Sequence, residues 1–239
     1  MNYLPILSDL TDAEIAEAAQ AAGEPAWLIE RRVEAWRHFA ESVPPFWKRT
    51  NLSKFESADI AAPLGVQGTA VQWDASLAGQ GVVFTTLAAA LRDHEALVRQ
   101  YLGSAVDPLA HKFNALHAAL WQDGVFLYVP KDVQLELPLQ AIFTLAGGGR
   151  SIFPHNLIVV ESGARVTFIE EYSSPGAGAQ ALASAASELF VGAGASLRFV
   201  TVQNWGERFY HLGAQRARVG DGASLEWLAV SLGGQVQHV

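Results

Sequence analysis

GARVTFIEEY (163–172), GASLRFVTVQNW (194–205) and GASLEWLAVSL (222–232) are three versions of one pattern, a Gly-Ala pair followed by alternating side chains. DVQLELPLQAIF (132–143) repeats the alternation after an Asp-Val pair. The four stretches begin 31, 31 and 28 residues apart. Apolar residues at every second position are typical of a strand that buries one face. A repeat of this length indicates stacked units that cannot bury their apolar faces alone.

Further apolar runs lie between these stretches, so each repeat has room for at least two strands. The runs cover 157–160, 189–191 and 217–219. We therefore predict a parallel β-helix whose stacked coils contain about 30 residues each. Glycine at each corner permits a turn with positive φ. The alternative is an ordinary β-sandwich whose strands resemble one another by chance.

The first half of the chain has helical patterns instead. Thr11 and Glu14 fit a capping box, in which each side chain bonds the backbone amide of the other residue. Apolar residues at spacings of three and four predict helices. These helices start near Thr11 and Pro25, run from about Thr86 to Leu102, and start again at Asp107. We predict short strands and loops for 56–82, a helical region with short strands over 1–122, and the β-helix over 123–239.

Composition excludes several classes of protein. Half of the residues are hydrophobic and 17% are charged, whereas a disordered chain has low hydrophobicity and high charge. The net charge of −8 disfavours nucleic acid and anionic membrane surfaces as partners. Every apolar stretch is shorter than the roughly 20 residues of a membrane-spanning helix. The 239 residues contain no cysteine, hence no disulfide and no thiolate ligand. We expect a soluble cytoplasmic protein without a signal peptide.

Four longer passages resemble the SufB/SufD family of iron–sulfur cluster assembly proteins. HKFNALHAALWQDGVFLYVPKDVQLELPLQ at 111–140 is similar to that family's characteristic passage. LIVVESGARVTFIEEY at 157–172 and ELFVGAGASLRFVTVQNW at 188–205 are similar to its next two coils. Residues 23–55 resemble its helical lead-in. The resemblance covers most of the chain in order, which makes it more specific than a single short motif.

This resemblance implies a right-handed parallel β-helix behind an N-terminal α-helical region. Family members form a SufB–SufD heterodimer, which binds the ATPase SufC through a C-terminal helical domain. The complex assembles iron–sulfur clusters on SufB, and SufD is not known as a catalyst. The resemblance therefore implies a non-enzymatic scaffold subunit of the SufBCD complex. The cofactor expectation follows: this chain alone binds none, and an iron–sulfur cluster is present only in the assembled complex.

Two departures from the family pattern refine this reading. SufB-like members carry a cysteine just after the strand that ends in Ile-Glu, but IEEYSSPG at 169–176 contains none, which favours SufD. Gln203 and Trp205 match SufB residues that line a sulfur-transfer path, which makes them weak cofactor-binding candidates. Without the cysteine that they would serve, we expect their role to be structural. Family members usually continue beyond SLGGQVQHV at 231–239, so we expect a fragment that lacks the SufC-binding part.

No other pattern indicates catalysis or metal binding. The seven histidines form no HxH or HxxxH pair, and His111 and His117 fall on different faces of one predicted helix. His155 and His211 lie beside strands, yet neither is assigned as a metal ligand. Glu170 and Glu171 point to opposite faces of a strand and cannot act together as acid and base. We expect one of these carboxylates to face outward and the other to lie at a corner.

Two other functions remain possible from the residues alone. The first is a SufB-like cluster scaffold, which the lack of cysteine disfavours. The second is a carbohydrate-active β-helix enzyme such as a polysaccharide lyase. Such an enzyme places acidic and basic residues on one exposed strand face, and the repeats here show no acidic row of one parity. The glycines at 147–149 lack the spacing of a phosphate loop and predict a turn between coils.

Overall fold

A computed structural model describes residues 9–55, 60–63, 70–71, 75–122, 124–145, 150–174 and 179–239. The helices are α1 (Asp12–Ala21), α2 (Ala26–Glu41), α3 (Leu87–Asp93), α4 (Glu95–Tyr101) and α5 (Lys112–Leu120). The strands are β1 (Ala70–Val71), β2 (Val83–Thr86), β3 (Val125–Val129), β4 (Leu139–Thr144), β5 (Ser151–Ile152), β6 (His155–Val160), β7 (Arg165–Ser173), β8 (Ala181–Ala183), β9 (Ala186–Val191), β10 (Ser196–Trp205), β11 (Phe209–Leu212), β12 (Ala214–Val219), β13 (Ser224–Gly233) and β14 (Val236–His238).

The strands from β3 to β14 stack into four coils, each of which contributes one strand to each of three sheets. The sheets have the orders β2-β3-β6-β9-β12, β1-β4-β7-β10-β13 and β5-β8-β11-β14. Neighbouring coils pair in parallel, and among the described strands only the added β1 and β2 pair antiparallel. Phe168 lies beside Phe199, which lies beside Trp227, as the repeat requires. The predicted parallel β-helix is confirmed.

Four residues with positive φ mark the corners between the first and second sheets. Gly163, Gly194 and Gly222 have φ values of 71°, 65° and 65°, and Asp132 has a φ of 62° at the equivalent corner. A Cβ at Gly163 would collide with the carboxylate of Asp132 in the neighbouring coil. The predicted glycine corners are therefore correct, and an aspartate, which tolerates this region better than most residues, replaces the first of them.

The β-helix has an apolar interior, and a second core covers one of its outer faces. Alternate residues of β7 and β10 point into the interior, where Phe168 and Phe199 are fully buried. All six residues of β6 are buried, because its other face packs against the helical region. Leu116 of α5 and Leu157 of β6 belong to this second core. Strands that are covered on both faces lose the alternation of polar and apolar residues.

Capping and local backbone geometry correct the predicted helices. The capping box at Thr11 and Glu14 is present, with both reciprocal hydrogen bonds. The predicted helix over 86–102 is wrong as one element, because His94 (φ −138°, ψ 33°) breaks it into α3 and α4. The helix expected from Asp107 starts at Lys112. The Asp107 carboxylate instead accepts a hydrogen bond from the Leu109 amide, which holds a turn before the helix.

The strands and loops expected over 56–82 are described only in part. The structure shows β1 and a 3-10 helix over Ala75–Gln80. The turn predicted at 147–149 lies outside the described residues. Within the described parts of the chain, no helix is long and apolar enough to cross a membrane.

Candidate functional site: two buried polar clusters

Gln203 and Trp205, the two candidates from the sequence, both lie on β10 and point into the β-helix. Their exposed fractions are 2% and 3%. The Trp205 ring stacks on Phe209 with the centroids 4.1 Å apart. Its indole Nε1 donates a hydrogen bond of 2.8 Å to Nδ1 of His211. Trp205 therefore packs inside the β-helix and makes a buried hydrogen bond there.

His211 is a neutral, buried partner of Trp205. Because Nδ1 accepts a hydrogen bond from the indole N–H, the imidazole carries its own proton on Nε2. Burial lowers the pKa of His211 to about 3, since water no longer solvates the imidazolium. A ring that stays neutral through the physiological range can accept from Trp205 at all of those pH values.

Gln203 lies beside Tyr172 in the pairing of β10 with β7. The Tyr172 ring is fully buried and stacks on Phe143 at 5.1 Å. Oε1 of Gln203 has no hydrogen-bond partner within the described part of the chain. A buried amide oxygen without a donor is costly. The interior around Gln203 and Tyr172 therefore combines tight aromatic packing with one unsatisfied polar atom.

Glu170 projects into the centre of the β-helix, which corrects the expected position at a corner. It is fully buried in the middle of β7, whereas Glu171 lies on the outer face of the same strand. Oε2 of Glu170 accepts hydrogen bonds from Nδ2 of Asn156 (2.7 Å) and Oγ of Ser187 (2.8 Å). Oε1 accepts from Nε2 of Gln215 (2.7 Å). One carboxylate thus ties β7 to three strands of the sheet across the interior.

The three side chains that donate to Glu170, those of Asn156, Ser187 and Gln215, are neutral and provide no positive charge beside the carboxylate. Burial raises the pKa of Glu170, and the hydrogen bonds from Ser187 and Asn156 lower it only in part. We name Glu170, Asn156, Ser187 and Gln215 the interior cluster. A carboxylate inside the β-helix cannot meet an external polysaccharide, which disfavours the carbohydrate-active alternative.

A second buried cluster joins the helical region to the outer face of the β-helix. Glu188 of β9 is fully buried there. Its Oε1 accepts a hydrogen bond from the Gly103 amide (2.6 Å), and its Oε2 accepts from the amides of Ala105 (2.7 Å) and Val106 (2.9 Å). Oε1 also lies 2.9 Å from Nε2 of His155 on β6. The carboxylate therefore anchors the loop between α4 and α5.

His117 extends this cluster into α5. Its Nε2 lies 3.1 Å from Nδ1 of His155, and its Nδ1 lies 3.0 Å from the carbonyl oxygen of Ser184. We name Glu188, His155, His117 and Ser184 the seam cluster. Sequence reasoning missed it, because 38 residues separate the two histidines and neither belongs to a short motif. Within the described ranges, no three His, Cys, Asp or Glu side chains could hold a metal ion.

The carboxylate of Glu188 has the opposite pKa shift to that of Glu170. Burial alone would raise the pKa of Glu188, but the hydrogen bonds from His155 and the backbone amides outweigh burial and lower it. Burial, together with the nearby charges of His155 and Arg32, holds the pKa of His117 well below its ordinary value. Glu188 is therefore ionised at neutral pH, while His117 is uncharged.

A cavity of about 230 Å³ borders the seam cluster. Its walls come from α2, α5 and the loop between α4 and α5, and both histidines of the cluster contribute to it. Apolar groups such as Leu28, Val106 and Trp121 form most of its surface, and the charged residues Arg31 and Glu34 also line it. The seam cluster thus lies between solvent-accessible space and the β-helix.

Comparison with known families identifies the class of protein to which this fold belongs. Residues 143–239 match the family profile described as "SUF system FeS cluster assembly, SufBD core domain". Residues 66–141 match the profile of the "SufBD protein N-terminal region". The chain belongs to the SufB/SufD family of iron–sulfur cluster assembly proteins, as the resemblance in the sequence indicated.

Curated relatives agree with this assignment. A protein of Staphylococcus epidermidis named as an iron–sulfur cluster assembly SufBD family protein is 29% identical, over 95% of this chain and 57% of its own length. The protein of Bacillus subtilis named iron–sulfur cluster assembly protein SufB is 27% identical over the same shares. The chain thus spans about 57% of the length of the curated relatives that it matches.

Proposed function

We propose that this chain is a SufD-like, non-catalytic scaffold subunit of a cytoplasmic complex that assembles iron–sulfur clusters. The observation that carries the proposal lies at the end of β7. SufB-like proteins place a cysteine after this strand, whereas this chain places the fully buried Tyr172 at the strand's end and contains no cysteine in its 239 residues. Without a thiol, the chain has no group that receives sulfur.

The proposed partners are a SufB-type subunit, as a heterodimer, and the SufC ATPase. SufC would bind through a C-terminal region outside these 239 residues. In this proposal the cluster is cargo that binds only in the assembled complex. Apolar side chains on β13 support a protein contact, since Leu228 and Leu232 are about half exposed.

A SufB-like scaffold is the second candidate, because the curated relative in Bacillus subtilis carries the name SufB. The two candidates differ in one chemical property. A SufB-like chain accepts sulfur and pairs with a SufD-type subunit, whereas a SufD-like chain accepts none and pairs with a SufB-type subunit.

Co-expression with the SufB-, SufD- and SufC-type proteins of the same genome tests the proposal. With a tag on this chain, we expect the SufB-type protein to co-purify in a 1:1 ratio, and we expect no label on this chain from a radioactive persulfide donor. Leu228→Asp on the exposed face of β13 should weaken co-purification, and Leu137→Asp, another exposed apolar residue, serves as the matched control. Preferential pairing with a SufD-type protein, or labelling of this chain, would contradict the proposal.

A further inference from the structure

The segment Gly103–Val106, which we name the strap, is held on both sides of its backbone. Its amides at Gly103, Ala105 and Val106 all donate to Glu188. The carbonyl of Leu102, just before the strap, accepts from Nη1 of Arg31 at 3.2 Å, and the carbonyl of Ser104 accepts from Nη2 of Arg218. Side chains of α2, β9 and β12 therefore hold one short loop between α4 and α5.

The two histidines behind Glu188 have room for a limited number of protons. Only one proton fits between Nε2 of His117 and Nδ1 of His155, which are 3.1 Å apart. If Nδ1 of His117 donates to the Ser184 carbonyl, then His155 must donate with both nitrogens and is an imidazolium. If the Ser184 hydroxyl, at 3.3 Å, donates to Nδ1 instead, both rings are neutral. With both rings protonated, two N–H groups would face each other.

We propose that acid releases the strap. When the His117–His155 pair takes up a second proton, so that both rings are cationic, the seam cluster breaks and the strap separates from Glu188. The helical region then packs less tightly against the β-helix. The neighbouring cavity opens where Gly103 and Val106 form its wall. This device is independent of whether the chain is SufD-like or SufB-like, because it uses only contacts within the chain.

The charges around the pair set the sign of the pH dependence. His117 faces His155 of β6 and Arg32 of α2, and Arg32 is paired with Glu24 at 2.6 Å. The Arg32 guanidinium opposes a proton on His117, whereas the carboxylate of Glu188 faces His155 at 2.9 Å. Because the folded-state pKa of His117 is below its ordinary value of 6.5, the unfolded or released state takes up the proton more readily. The contact between the strap and Glu188 is therefore fully formed above about pH 6.5 and weakens as the pH falls.

At still lower pH, protonation of Glu188 weakens the contact with the strap further. The folded-state pKa of Glu188 lies below 4.5, so its contribution is present above about pH 4.5 and is lost as the pH falls through the folded-state value. Release therefore begins with the histidine pair and is completed by the carboxylate. The interior cluster lies on the other side of the sheet and does not take part.

Hydrogen exchange of the strap amides in the intact chain tests this proposal. After correction for intrinsic exchange, we expect protection of the Gly103, Ala105 and Val106 amides to fall by roughly tenfold from about pH 7.5 to about pH 5.5, one pH unit below the ordinary histidine pKa. Amides of β7 and β10 should stay protected over the same range. Equal protection of the strap at both pH values would overturn the proposal.

Variants separate the histidine pair from general acid sensitivity. His117→Gln removes the ring that takes the second proton, so the strap should lose its response between about pH 6.5 and pH 5.5. His38→Gln on α2 is the matched control and should leave the response unchanged. Should His117→Gln fail to fold, nitrogen-15 NMR of the wild-type imidazoles decides. Two cationic rings at His117 and His155 with a protected strap would contradict the proposal.

Discussion

Glu170 and Glu188 are both fully buried carboxylates on neighbouring coils, yet their pKa values shift in opposite directions. Neutral side chains donate to Glu170, whereas three backbone amides and one imidazole contact Glu188. Burial is thus similar at the two sites, and the donors decide the outcome. For these two buried carboxylates, the hydrogen-bond donors around the side chain decide whether the anionic form is stabilised.

The largest effect should follow removal of the carboxylate at the seam. Glu188→Ala leaves three amides and His155 without their acceptor in a buried space. Breaking a buried, hydrogen-bonded charge in this way should lower the free energy of unfolding by about 3–5 kcal/mol. Urea denaturation measures the loss.

An exposed carboxylate provides the control for that prediction. Glu226 pairs with Arg198 at 2.8 Å on the solvent side of the β-helix. Glu226→Ala should change the free energy of unfolding by less than about 1 kcal/mol, since water already screens the pair. Equal losses in Glu226→Ala and Glu188→Ala would mean that the seam does not fasten the helices.

A smaller effect is expected in the interior cluster. Glu170→Gln keeps the shape and one acceptor oxygen, but its new amide group faces a donor that Glu170 accepted from. The loss should be about 1–2 kcal/mol, the cost of leaving one buried polar group unsatisfied. Glu188→Gln, measured in parallel by urea denaturation, should cost more. The reverse order would refute our view that donors, rather than burial, distinguish the two sites.

The sequence predicted the interior of the β-helix better than its outer face. The spacing of the Gly-Ala pairs fixes which coils are neighbours, and the alternation in β7 and β10 fixes which side chains meet. The column of Phe168 and Phe199 could therefore be deduced before any coordinates. Such contacts join equivalent positions in consecutive repeats, so one period describes them all.

The seam could not be predicted in the same way. Its contacts join α5, the strap and β9, and no period relates positions in a helix to positions in a coil. One signal was present: Glu188 lies in the apolar run ASELFV at 186–191, on the face opposite to Leu189 and Val191. A charged residue in a strand that is covered on both faces requires a buried partner. That rule predicts that a partner exists, but it does not identify His155.

The pH dependence of the two glutamine variants sharpens the comparison further. Because the pKa of Glu188 is lowered, its stabilisation is lost as the pH falls below about 4.5, through the folded-state value. Because the pKa of Glu170 is raised, its stabilisation is complete below about pH 4.5 and is lost as the pH rises through the folded-state value. The advantage of the wild type over Glu188→Gln should therefore grow with pH below about 4.5, and its advantage over Glu170→Gln should shrink above that pH.

Urea midpoints of the wild type and both variants, taken across this range, give the two difference curves. The advantage over Glu188→Gln should rise with pH, and the advantage over Glu170→Gln should fall with pH. Two curves with the same slope would show that both carboxylates respond to burial alone.

The smallest loss is expected at Trp205 of β10, where no carboxylate takes part. Trp205→Phe keeps an aromatic ring against Phe209 but removes the Nε1 donor to His211. Nδ1 of His211 is then a buried acceptor without a partner, which should lower the free energy of unfolding by about 1 kcal/mol. Trp227→Phe, where the ring is partly exposed and contacts Phe199 edge-on at 5.4 Å, is the matched control. If Trp205→Phe costs no more than Trp227→Phe, the Trp205–His211 hydrogen bond contributes nothing beyond ring packing; a larger loss would place a neutral hydrogen bond between the interior carboxylate and an exposed side chain in the order of effects.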